Sequence, residues 1–287
     1  MAKPLIIVTG SNGQLGTELA ILSPAYDQFE FVFFKREALD ITSEVQLKQV
    51  FATYRPAYFV NCAAYTAVDK AESDHETAMR INAAAVGIIA ACCHTYGTKL
   101  IHISTDYVFN GKASQPYPED APVNPVNYYG LSKLKGEEQA IDHNPGTIIL
   151  RTSWVYNRTG KNFVTTMLRL MQERTDISVV NDQTGTPTYA VDLAEAIMLI
   201  ITGGDAGWHP GIYHYSNGGI ITWYEFALAI KEIRDFSCTV HPIATEQYPT
   251  PAKRPVYAVM SKEKITTTFN LQVRDWRNSL EECLKAL

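Results

Sequence analysis

Tyr129-Gly130-Leu131-Ser132-Lys133 places a phenol and an amine four residues apart, which puts them on one face of a helix. A free tyrosine titrates near ~10 and is a poor acid–base group at neutral pH. A neighbouring ammonium stabilises the phenolate and brings the group closer to a working range. The pair alone recurs by chance on surface helices. Here it follows Ser104-Thr105-Asp106, at the end of an apolar run that reads as a strand, so a hydroxyl is offered at the same sheet edge. Three such side chains can protonate and hydrogen-bond a carbonyl oxygen that gains charge as it is reduced.

A second constellation lies at the start of the chain. Thr9-Gly10-Ser11-Asn12-Gly13-Gln14-Leu15-Gly16 follows an apolar run, with its glycines in the pattern G-x-x-G-x-x-G. Gly10, Gly13 and Gly16 would let the backbone turn tightly and approach a pyrophosphate at the positive end of the next helix. A tight strand-to-helix connection with no ligand has the same look. No Gly-Lys-Ser/Thr closes the turn, so it is not a Walker A loop. The next apolar run ends in Phe34-Lys35-Arg36. A cation there accepts a 2′-phosphate where a carboxylate would take ribose hydroxyls. Arg36, with Lys35, therefore points to NADP(H), and a solvated basic pair is the plain alternative. Asp40-Ile41 would flank the adenine or cap the following helix.

These groups need strands and helices to hold them. Leu5-Ile6-Ile7-Val8 reads as a buried strand, followed by a helix through Leu22, and residues 29–34 as a second strand. Ser43 with Gln46 forms a capping-box pattern that opens a helix stopping before Pro56. Residues 58–61, 100–103 and 148–150 read as further strands, and a long helix from about His75 ends at Gly97, a plausible C-cap. Apolar strands alternating with helices indicate a parallel sheet covered on both faces. The expectation is an α/β, Rossmann-like, doubly wound sheet with a smaller mixed α/β lobe over its strand ends. Residues 1–151 and about 177–202 are assigned to the dinucleotide-binding part. About 152–176 and 203–287 are assigned mainly to the lobe that takes the substrate.

Composition bounds the rest. The 287 residues are 46% hydrophobic and carry 25 Lys and Arg against 30 Asp and Glu, a formal charge of −5. Such a chain repels a phosphate backbone at long range, so nucleic-acid binding is not expected. Five cysteines with no C-x-x-C read as reduced thiols of a cytoplasmic protein. No His/Cys cluster has zinc spacing. The apolar run at 5–9 is too short for a signal peptide, and no membrane span is expected.

The order of these motifs resembles the extended short-chain dehydrogenase/reductase family and, within it, the dTDP-4-dehydrorhamnose reductases, over essentially the whole chain. The resemblance rests on Thr9 to Gly16, Leu39-Asp40-Ile41, Asn61 to Thr66, Val68 to Glu72, Asn82, Ser104 to Gly111 and Tyr129 to Lys133. It continues through Arg151 to Tyr156, Asp182 to Thr188, and Arg254-Pro255. It implies a catalytic set of Thr105, Tyr129 and Lys133 that delivers hydride from NADPH, with NADH left open, to a dTDP-linked keto-deoxysugar. Gly13, Gln14 and Leu15 would lie under the pyrophosphate, Asp40 and Ile41 near the adenine, and Ala63, Ala64, Tyr65 and Thr66 beside the ribose and diphosphate. Thr105, Asp106 and Trp154 would meet the sugar or its nucleotide, and Trp154 offers a broad flat face for that. Arg254 would suit the diphosphate, which a guanidinium grips bidentately.

Some relatives dimerise through glutamates and a divalent cation. Only Glu18 fits that pattern, with Val191 where a second carboxylate would stand. No metal is therefore expected, and monomer and homodimer both stay open. Two other activities share this fold. A dehydratase needs an Asp-Glu pair after the threonine, and here Asp106 is followed by Tyr107. An epimerase would recycle its hydride instead of consuming NADPH. A non-catalytic subunit, like that accompanying some methionine adenosyltransferases, would keep the nucleotide fold without turnover.

Overall fold

The computed structural model describes residues 3–287. Six parallel strands form the central sheet in the spatial order Gly211–His214, Ile148–Thr152, Lys99–Thr105, Tyr58–Asn61, Leu5–Thr9 and Glu30–Phe34. The first strand shows why the sheet needs cover on both faces. Ile6 and Val8 join a core with Leu193 and Ile197, while Ile7 points the other way into a core with Leu47, Phe51 and Ile89. Each such side chain, fully buried, contributes about 1.5–3 kcal/mol. The doubly wound α/β sheet read from the sequence is borne out. Its first strand is flanked by the second and third, so strand order reverses there, and ligands of open α/β sheets bind at such a reversal.

A separate core holds the smaller lobe, built on Tyr156, Val164, Met167, Ile177, Val179, Phe226, Ile230 and Leu280. Two parts of the assumed division change. The strand Asp176–Val180 pairs in parallel with Thr239–Ile243 inside this lobe, and does not lie on the dinucleotide side. Its burial alternates, with Ile177 and Val179 inward and Asp176 and Ser178 outward, the mark of a strand covered on one face only. Conversely, Gly211–His214 returns to the edge of the central sheet beside Ile148–Thr152. That strand has four residues and ends in a buried His214, so no apolar run announces it. Helix Ala190–Thr202 packs on the main core as expected.

Ser43 accepts a hydrogen bond from the Gln46 amide, but the Gln46 side chain reaches the Asp40 amide, so the capping box is only half made. The long helix begins as His75–Met79, widens into a π turn at Arg80–Ala84 and continues as Ala85–Tyr96, closed by Gly97 at φ +67°. Its span reaches the length and hydropathy of a membrane helix, which the sequence reading did not anticipate. Ala85, Val86, Ile89, Ala90 and Cys93 on it are buried within the protein, as in a core helix.

The π turn has a purpose in packing. It carries Asn82, whose amide joins the Tyr65 backbone N–H (2.8 Å) and C=O (3.0 Å) and the Ser132 hydroxyl (2.9 Å). Helix Tyr128–His143 lies against it so closely that a Cβ on Gly136 would collide with the Asn82 carbonyl oxygen. Gly136→Ala is therefore expected to lower unfolding free energy by about 1–3 kcal/mol, read as a shift in urea midpoint.

Candidate active site

Helix Tyr128–His143 is fixed at its start by two side chains. Asn127 caps it by accepting from the Gly130 amide at 2.8 Å, and Glu72 accepts from the Tyr128 amide at 2.7 Å. A carboxylate and an Asn at a helix N-terminus satisfy orphan donors and oppose the helix dipole. Gly130 lets the helix approach the short turn Asp106–Val108, since a Cβ there would strike the Tyr107 carbonyl. One turn of helix thereby brings Tyr129 to Thr105, at the end of strand Lys99–Thr105.

Thr105, Tyr129 and Lys133 converge on a cleft of ≈840 Å³ at the carboxyl ends of the strands. Thr105 donates to Asp106 Oδ1 at 3.0 Å. Burial pushes the Tyr129 phenol up to about 12, opposed by its hydrogen bond with Thr105, while the nearby Asp106 carboxyl adds to the rise. Lys133, 2% exposed, donates from Nζ to the Ile103 carbonyl at 2.7 Å. Burial draws its amine down to about 8, with Glu137 and then Cys62 acting the other way. Lys133 thus shares the tyrosine's helix face but turns its amine toward the sheet. In the free protein burial, and not the ammonium, governs the phenol, which therefore keeps its proton at neutral pH. That is the state a proton donor needs.

The other residues singled out in the sequence divide into two groups. Gly10, Gly13, Gln14, Leu15, Gly16, Arg36, Asp40, Ile41, Ala63, Ala64, Thr66, Asp106 and Trp154 all line the same cleft. Gly10 sits at φ +68°, and a Cβ on it would lie 2.7 Å from the Ala63 amide nitrogen. Gly13 caps helix Gln14–Leu22 with no side-chain acceptor, and the buried Ser11 hydroxyl has no partner. Free helix donors and an unpaired hydroxyl beside a bare backbone fit a diphosphate. Asp40 Oδ1 accepts from the Thr42 amide and hydroxyl, which holds its carboxyl below the usual range.

The remaining two do not line the cleft. Tyr65 is held by Asn82 through its backbone and by Asp74 through its hydroxyl at 3.1 Å. Arg254 forms a bidentate pair with Asp69, at 2.7 and 2.8 Å. Glu18 is also engaged, accepting from Asn157 at 2.7 Å and from Arg158 at 3.0 Å.

Arg80, Gly160, Lys161 and Trp223 are among the lining residues not singled out in the sequence. Arg80 lies in the π turn and acts on Asp40 together with Arg36, which adds a cation to the end of the cleft where Arg36 stands. Trp223 stacks on Trp154 with ring centroids 3.5 Å apart and planes 13° from parallel. Trp154 itself has φ +47°, a conformation that a bulky residue adopts only when its surroundings enforce it. Gly185 makes room for the indole, since a Cβ there would lie 2.6 Å from the ring.

Comparison with known proteins agrees along the whole chain. The family described as "RmlD substrate binding domain" matches residues 4–287. The spore coat polysaccharide biosynthesis protein SpsK of Bacillus subtilis (strain 168) is 41% identical, covering 98% of this chain and 96% of its own. The dTDP-4-dehydrorhamnose reductase of Burkholderia thailandensis (strain ATCC 700388 / DSM 13276 / CCUG 48851 / CIP 106301 / E264) is 39% identical, covering 98% of each. The crystal structure of dTDP-4-dehydrorhamnose reductase from Bacillus anthracis str. Ames in complex with NADP is 39% identical, covers 100% of both chains and superposes with a TM-score of 0.95.

Asp106 exposes a conflict between site and stability. Its carboxyl is buried with Oδ2 unpartnered, and burial pushes it from 3.8 up to about 7. The unfolded chain releases that proton from about pH 4 upward, whereas the folded chain holds it until about pH 7. Folding is therefore penalised increasingly across that window, and fully above it. Asp106→Asn is expected to raise the melting temperature at about pH 8 and to leave it nearly unchanged at about pH 4, as read in thermal melts of both proteins. An equal gain at both values would show that ionisation is not the cause.

Proposed function

The chain belongs to the RmlD substrate binding domain family, and from that premise we propose that it reduces the 4-keto group of dTDP-4-dehydro-L-rhamnose to dTDP-L-rhamnose with NADPH. The observation that carries the reading is the convergence of Thr105, Tyr129 and Lys133 at one end of a cleft whose other end is a glycine-rich turn and a pair of arginines. The dTDP product points to a role in polysaccharide precursor synthesis. We place that role in the cytoplasm, in keeping with five free cysteines.

The turn Gly10 to Gly16 would hold the cofactor's pyrophosphate through backbone amides, and Arg36 with Arg80 its 2′-phosphate. Ala63, Ala64 and Thr66 would wall the ribose side. Bound there, the nicotinamide supplies the hydride. Tyr129 gives its phenolic proton to the sugar oxygen as negative charge develops on it, and the Thr105 hydroxyl hydrogen-bonds the same oxygen. Lys133 orients the nicotinamide ribose and steadies the phenolate once the proton has left. Trp154, held by Trp223, offers the deoxysugar an apolar wall, and Asp106 Oδ2 has a free acceptor for a sugar hydroxyl. Arg254 stands at the rim beside Tyr107, where it would exchange Asp69 for the diphosphate of the substrate.

Tyr129→Phe keeps the ring and removes the proton. Purified protein supplied with NADPH and the keto-sugar is expected to lose about 10²–10⁴-fold in kcat with this change, while still binding NADPH. Cofactor binding with no stoichiometric NADPH oxidation by the wild type would reject net reduction in favour of epimerisation or a non-catalytic role. Arg36→Ser is expected to weaken NADPH by about 10–100-fold, the value of a charge-assisted contact, and to leave NADH almost unaffected. Equal losses for both cofactors would remove Arg36 from the 2′-phosphate.

A further inference from the structure

A line of buried polar side chains runs across the ends of three strands to the back of Lys133. Thr9 donates to Asn61 Oδ1 at 2.8 Å, Asn61 Nδ2 meets His102 Nδ1 at 3.1 Å, and His102 Nε2 lies 3.5 Å from Lys133 Nζ. Thr9, Asn61 and His102 are each no more than 1% exposed. The Ala63 amide also points at Asn61 Oδ1, at 3.3 Å, which fixes which end of the Asn61 amide is oxygen. Asn61 therefore presents N–H to His102 Nδ1, and Nδ1 must accept. A neutral imidazole that accepts at one nitrogen carries its proton on the other. Burial and the adjacent lysine hold His102 well below its usual range, so it is neutral.

We propose that His102 is a positioning residue that tunes the proton affinity of Lys133: its Nε2–H, oriented by Asn61, faces the lysine nitrogen and makes the ammonium easier to deprotonate. A neutral amine satisfies both neighbours, since it accepts from Nε2–H and donates to the Ile103 carbonyl. An ammonium would set two donors against each other. The other groups facing Lys133 do not reverse this. Glu137, on the same helix, pulls toward the charged form, but its carboxylate is already shared by Arg151 at 2.9 and 2.7 Å and Ser104 at 2.5 Å. Cys62, after the third strand, is a thiol pushed up to about 12 by burial. Tyr129 keeps its proton. This rests on the reductase reading only for its consequence in turnover, since the tautomer is a property of the free protein.

The test is long-range ¹H–¹⁵N NMR of the uniformly labelled, ligand-free chain, with the His102 signals identified by their loss in His102→Gln. The expected result is protonated Nε2 and bare Nδ1 throughout about pH 6–9. An Nδ1–H tautomer or an imidazolium would overturn the proposal without touching the reductase reading. Asn61→Asp gives a second arm. A carboxylate there requires Nδ1–H, turns Nε2 into an acceptor and favours the ammonium. The Lys133 titration, followed by ¹³Cε-lysine signals, is expected to rise by about one unit or more, and the kcat–pH profile to move with it. A flipped tautomer with an unmoved lysine would also sink the idea. If that variant does not fold, the wild-type tautomer alone decides.

Discussion

Glu137 sits four residues beyond Lys133 on the helix that carries Tyr129, and its carboxylate is 2% exposed. Arg151, from the strand beneath, grips both oxygens, and Ser104, next to Thr105 in the chain, donates to one of them. The guanidinium in turn rests over Phe109, 5.1 Å from the ring centre, and reaches the Glu119 carbonyl. One ion pair thereby ties the helix with Tyr129 and Lys133 to the strand that ends in Thr105 and to its neighbour. Removing either partner would leave a buried charge uncompensated, which costs about 3–5 kcal/mol. A hydrophobic pair of similar volume could match the stability, but it would not hold Ser104 and Glu137 at a fixed distance from the reacting groups. This contact thereby fixes the elements that carry Thr105, Tyr129 and Lys133 relative to one another.

What could be read in the sequence follows from how local each signal is. The turn Gly10 to Gly16 and the Tyr129/Lys133 spacing are complete within a few residues, so their types and offsets announce them. The strands buried on both faces were legible for the same reason, because Leu5-Ile6-Ile7-Val8 has no polar position to confuse its period. Gly211–His214 was not legible, since its partner Ile148–Thr152 lies about sixty residues earlier and a short run ending in histidine carries no period. The residues of Asp176–Val180 were assigned to the wrong part of the fold, because a short apolar run does not say which sheet receives it. Arg80, Trp223, His102 and Glu137 escape for a related reason. Each matters through a residue remote in sequence, and nothing in its immediate neighbours marks it out.

Several features of the cleft oppose folding and are tolerated because the frame around them is rigid. Asp106 leaves one oxygen unpaired, Lys133 buries an amine, and Trp154 takes a positive φ. Asp106 and Trp154 follow strands of the central sheet, and Lys133 lies on a helix packed against it. Burial keeps Tyr129 protonated and brings the Lys133 amine toward neutrality, so the desolvation that destabilises the site also sets both groups in useful states. A surface site with the same side chains would lack that control, since water would return each group to its ordinary titration range.

The same economy governs the joint between the lobes. Gln14, in the glycine-rich turn, donates to the Val155 carbonyl and accepts from Asn162, while Glu18 one helical turn later holds Asn157 and Arg158. The glycine-rich turn and the smaller lobe are therefore joined by residues that flank the cleft. At the opposite rim Arg254 is bound to Asp69, a contact that a diphosphate can replace because it offers the guanidinium the same planar pair of acceptors. Asp69 is 43% exposed and has water to fall back on, so exchange there need not leave a buried charge. The Glu18 side has no such alternative, with the carboxylate nearly buried under Arg158. The contact at the Arg254 rim is thus the more readily exchanged, and the contact at Glu18 the more fixed.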